Sequence, residues 1–82
     1  MSNNGVAIKP AALKAARLAK GWTLRDVAVA CGEFGVKVDY GNVSRYERGR
    51  TRPYPKTLLA LATVLDGEVA DFTADEPAES AA

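Results

Sequence analysis

Residues 39–53, DYGNVSRYERGRTRP, limit the possible fold more than any other stretch of the chain. Asp39 suits a helix N-cap, where a carboxylate accepts from the free N–H groups of the first turn. Gly49 and Pro53 close the segment: glycine tolerates the left-handed cap, and proline cannot continue a helix. What lies between is a short helix, YGNVSRYERG, too brief to stand without a scaffold. Val43 and Tyr46, three residues apart, give it one inward side, with Glu47 beside them. Gly41 and Asn42 are poor helix formers in its first turn, a cost that work near a ligand would excuse. The same segment holds four of the eleven basic residues, Arg45, Arg48, Arg50 and Arg52.

Eighty-two residues allow one domain with a modest core. Cys31 is the sole cysteine, so neither an intramolecular disulfide nor a thiolate metal cluster can form. The absence of histidine excludes a zinc finger and any imidazole base. There is no carboxylate pair with a shared site and no phosphate-binding glycine loop. The chain is therefore not expected to be an enzyme or to carry a metal or cofactor. No apolar run approaches the ~20 residues that span a bilayer, and no signal peptide is visible, so the expected location is cytoplasmic. Charge is unevenly divided. Residues 1–65 hold all eleven Lys and Arg against four acids, whereas residues 66–82 hold six acids and no base. A basic body with an acidic end suits a nucleic-acid binder, although charged faces also simply keep small proteins in solution.

Taken in order, residues 1–9 read as a flexible N-terminal arm, with Val6 and Ile8 able to dock on the body. Pro10 opens a first helix, AALKAARLAK, with Leu13, Ala16, Arg17 and Lys20 on one side and Gly21 as its left-handed stop. Trp22 reads as a core plug. Thr23 caps a second helix, LRDVAVACGEF, with Asp26 placed for a capping box. Its apolar stripe is Val27, Ala28, Cys31 and Phe34, and its stop is set at Gly35 because Gly32 would strand Phe34. Cys31 reads as a small buried hydrophobe. Val36 and Val38 lie in a connector to Asp39. After the basic loop, Pro55 leads into a fourth helix with Leu58, Leu61, Ala62 and Leu65 inward, stopped by Asp66-Gly67. One further turn, EVADF, points Val69 and Phe72 back to the core. Residues 73–82 have no apolar period and read as a disordered acidic tail.

This order of signals resembles the lambda repressor/Cro-type, or XRE, helix-turn-helix family. The resemblance runs through Leu13, Arg17, Gly21, Thr23, Val27-Ala28, Val43-Ser44-Arg45-Tyr46, Glu47-Arg48-Gly49, Pro53, and Leu58 through Leu65, and covers residues 10–72. It implies an all-α, compact four-to-five-helix fold. One departure stands out: the segment between Ala28 and Val43 is about five residues longer than the family pattern, which implies an extra turn on the second helix before the loop to Asp39.

The resemblance implies that the N-terminal part of the third helix faces base edges in the major groove. Tyr40, Gly41, Asn42, Ser44 and Arg45 occupy that part. Arg45 can grip guanine, Asn42 can pair with adenine or bond a phosphate, and Tyr40 can press on a thymine methyl or reach a phosphate. Gly41 permits close approach. Thr23, Arg25, Arg48, Arg50 and Arg52 are the expected phosphate contacts. Arg17 and Glu47 match the family's ion pair between the first and third helices. The function implied is that of a sequence-specific, double-stranded-DNA-binding transcriptional regulator of bacterial or phage type, repressing as a homodimer on a palindromic operator. Leu59, Val64, Val69 and Phe72 are candidates for the dimer contact. A protein-interaction module of the same fold, an antitoxin or adaptor, is the alternative suggested by the acidic tail.

Overall fold

Thr23 opens its helix with both halves of a capping box. The Asp26 N–H donates to Thr23 Oγ1 at 3.1 Å, and the Thr23 N–H donates to Asp26 Oδ2 at 2.8 Å. In the computed structural model, which describes residues 5–74, five helices follow one another. They are α1 (Pro10–Ala19), α2 (Leu24–Phe34), α3 (Tyr40–Glu47), α4 (Pro55–Val64) and α5 (Val69–Phe72). Proline occupies the first position of α1 and of α4, where no N–H is needed.

The first three helices stop at glycines in left-handed backbone, Gly21, Gly35 and Gly49, with φ of 71°, 107° and 71°. In each case the following residue's N–H reaches back to an orphan carbonyl: Trp22 to Arg17, Val36 to Cys31 and Arg50 to Arg45. α4 stops the same way, but the left-handed residue is Asp66 (φ 62°), not its glycine neighbour. Gly67 instead donates to the Ala62 carbonyl at 2.8 Å. Asp66 also accepts from Lys20 Nζ at 2.6 Å, tying the ends of α1 and α4 together.

Packing follows the apolar faces. α2 lies against α3 and α4, α4 against α5, and α1 against α3 and α5. Leu13, Val27, Cys31, Val43, Tyr46, Leu58, Leu61, Leu65 and Phe72 meet in one buried cluster, with Ile8 at its edge. Val36 and Val38 pack on it from the connector, half-buried. Burial pushes the Cys31 thiol up to about 11, so it stays protonated at neutral pH and packs as a small hydrophobe.

Three expectations need correction. α2 does end at Gly35, but burial of Phe34 does not set that end: Phe34 is exposed rather than part of the apolar stripe. The stop comes from the left-handed glycine itself. Trp22 packs against the core as expected, though half-buried, with the Lys20 ammonium 4.5 Å from its ring centre. Val69 stays 37% exposed, and only Phe72 of the pair enters the core. Lastly, residues 5–9 and 73–74 belong to the packed body. Val6 N–H donates to the Pro53 carbonyl, Lys9 to Phe72 and Ala74 to Ala7, while Ile8 and Thr73 form an antiparallel bridge. Gly5 lies so close to Arg52 that a Cβ there would sit 2.4 Å from the Arg52 carbonyl oxygen. The arm and tail boundaries expected at residues 9 and 72 therefore fall within hydrogen-bonded backbone. Residues 1–4 of the arm and 75–82 of the tail lie outside the described residues.

Candidate nucleic-acid interface

α3 is anchored on one face and open on the other. Val43 and Tyr46 are buried. Glu47 receives a two-pronged grip from Arg17: Nε to Oε2 at 2.6 Å and Nη2 to Oε1 at 3.0 Å. A third bond runs from Arg17 Nη1 to the Trp22 carbonyl at 2.9 Å, so one guanidinium ties α1, the turn after it, and α3. Both side chains are nearly shielded from water, at 11% and 6% exposure. The hydrogen bond to Glu47, more than its charge, holds the Arg17 pKa above the ordinary guanidinium value. The ion pair expected from the sequence is thus present, and it fixes the rotation of α3 about its own axis.

The side chains expected to meet bases lie at the start of α3 and along its less buried sides. Asp39 caps the helix, accepting the Gly41 N–H at 3.0 Å. A Cβ on Gly41 would sit 2.8 Å from Asp39 Oδ2, so the glycine makes room for the capping carboxylate. Tyr40 and Arg45 are exposed; Asn42 and Ser44 are half-buried. The structure brings these side chains together in pairs. Arg45 Nη1 donates to Asn42 Oδ1 at 2.6 Å. The Arg25 guanidinium lies 5.1 Å from the centre of the Tyr40 ring, linking the start of α2 to the start of α3 by a cation–π contact. The Asn42–Arg45 pairing could have been found from its i, i+3 spacing on a helix. The Arg25–Tyr40 contact could not, because it crosses the lengthened turn.

Arg48, Arg50 and Arg52 are exposed beyond the other end of α3. An eight-residue helix rises about 12 Å, so these arginines are set well apart from Tyr40. At Thr23 the capping box already engages the backbone N–H and the hydroxyl oxygen, and it brings the Asp26 carboxylate to the α2 N-terminus. Part of the acidic C-terminal segment likewise has internal work. Asp66 pairs with Lys20, and Asp71 accepts the Glu68 N–H at 2.9 Å to open α5. Among the described residues no helix is long and apolar enough to cross a membrane.

A family model described as helix-turn-helix matches residues 13–72, which takes in α3 and the elements that anchor it. The chain belongs to the helix-turn-helix family. The XRE-type order of residues from Leu13 to Leu65 falls within that match. This helix-turn-helix chain is also similar in structure to the clp gene regulator ClgR from Corynebacterium glutamicum, with 37% identity and a TM-score of 0.65. The likeness covers 76% of this chain and 61% of that one, so the chain spans less than two thirds of that protein's length. Comparison with curated proteins gives no match.

Proposed function

We propose that this helix-turn-helix protein is a sequence-specific DNA-binding transcriptional regulator that represses by occupying a near-palindromic operator as a homodimer. The observation that carries the reading is α3 itself. Its apolar side and Glu47 are locked into the body, while Tyr40 at its start and Arg45 stand exposed, with Gly41, Asn42 and Ser44 half-buried between them. A short helix held this rigidly, with a polar and basic outer face, suits insertion into the major groove. Arg45 supplies donors for guanine O6 and N7. Arg25, Arg48, Arg50 and Arg52 supply charge to phosphates, with the Thr23 hydroxyl beside Arg25. The 37% identity to a protein described as a gene regulator supports the same direction.

A second half-site adds the surface that one small module lacks. Of the four apolar candidates for the dimer contact, Phe72 is in the core and Val64 packs half-buried against it. Leu59 on α4 and Val69 on α5 are exposed, and these two carry the proposed contact.

The test is in-vitro selection of bound duplexes followed by mobility shifts on the selected site. Arg45→Ala should abolish preference at one base pair per half-site. Arg50→Ala should weaken binding to all sequences alike and lower the salt slope by about 0.9. A wild-type chain that binds every duplex equally, or none, would refute the reading.

A further inference from the structure

The pairing of Asn42 with Arg45 goes beyond the assignment of both as base readers, and it rests on the DNA-reading role proposed for Arg45. Asn42 Oδ1 and Arg45 Nη1 are 2.6 Å apart, short even for a bond with a charged donor. The two residues share one face of α3 at i, i+3. Asn42 is half-buried, while Arg45 is exposed and has no acidic partner among the described ion pairs. Gly41 lies beside them, and a Cβ there would come within 3.9 Å of the same Nη1, so the missing side chain leaves the guanidinium open on that flank.

A free arginine on a helix surface samples many rotamers, and fixing one of them on binding weakens affinity by roughly two- to tenfold. An arginine already held at one corner escapes most of that loss. The guanidinium has five N–H donors; one is engaged by Asn42, and guanine needs only two for O6 and N7. Adenine reading by Asn42 would require the same Oδ1 to lie in the plane of a base together with Nδ2. The arginine draws that oxygen along the helix surface instead.

We propose that Asn42 is a positioning residue. It orients Arg45 toward a guanine edge through Oδ1 and does not itself read a base.

The experiment uses the full chain and the duplex selected by the wild type, together with every single-base-pair substitution of that duplex. Affinities are measured for the wild type, N42A, N42D, R45A and N42A/R45A, with circular dichroism to verify folding. The Arg45 base pair is the one whose preference disappears in R45A. N42A should bind the selected duplex roughly two- to tenfold more weakly, with the loss confined to the Arg45 base pair. The double variant should be no weaker than R45A alone. N42D retains an oxygen acceptor for Arg45 but has no amide donor for adenine. It should keep the preference at the Arg45 base pair, while its added negative charge weakens binding to all duplexes equally. Loss of preference in N42A at a different base pair would overturn the proposal, as would loss of the Arg45 preference in N42D. So would an N42A variant indistinguishable from the wild type. Failure of the underlying reading would look different: the wild type would show no preference, or R45A would leave it intact.

Discussion

Arg17 divides its guanidinium between the Glu47 carboxylate and the Trp22 carbonyl, tying three segments through one side chain. With both charges nearly shielded, truncation of either leaves the other in a medium that solvates it poorly. Arg17→Ala should lower unfolding stability by about 3–5 kcal/mol, read from urea denaturation. Arg17→Lys should recover only part of this, because an ammonium cannot reproduce the planar fork. A loss below about 1 kcal/mol in the alanine variant would place the pair among surface ion pairs of little consequence. The two partners are thirty positions apart, and nothing in composition or periodicity joins them. Only the family-like pattern around them made the pairing legible. Cys31 needed no such help, since a lone thiol on an apolar stripe is most simply a packed hydrophobe.

At the scale of elements, punctuation explains most of the agreement between sequence and fold. Thr23, Asp39, Pro10, Pro55 and three glycines act on their immediate neighbours, so their effects can be read locally. Thr23→Ala removes the side-chain half of the capping box and should cost about 1 kcal/mol, measured as a shift in the denaturation midpoint with an unchanged slope. A neutral result would mean that α2 is held by α3 and α4 alone. The lengthened turn also resolved as expected, with α2 continuing to Phe34 before the connector to Asp39. Phe34 departs from this agreement. Its place in the helical period suggested burial, yet the last turn of α2 extends past the neighbours that could cover it, and the ring is exposed. Val69 differs for a related reason: it opens the single turn of α5 at the edge of the body, and of the two only Phe72 reaches the core.

For the whole molecule, the docking of Ile8 was expected, but the pairing of residues 7–9 with residues 72–74 was not. Ile8 enters the edge of the core, and the backbone around it pairs with residues 72–74 and with Pro53. Removal of residues 2–9 should destabilise the fold by about 2–3 kcal/mol, mainly from the lost burial of Ile8. The measurement is thermal or urea unfolding of the truncated chain beside the full one. No change would show that the arm is dispensable, as a flexible segment would be. Because the arm also touches the loop that carries Arg52, the truncated chain should bind any duplex more weakly as well.

The sequence by itself determined where helices start and stop, most of the residues that form the core, and that α3 has an inner face and an outer one. Those properties depend on interactions within a few residues: caps, left-handed glycines and the 3.6-residue period. Tertiary structure alone decided that residues 7–9 pair with residues 72–74, that Tyr40 lies under Arg25, and how α3 is rotated on the Arg17–Glu47 fork. These contacts join residues far apart along the chain. Their existence depends on the angles at which helices pack, and no local signal encodes those angles.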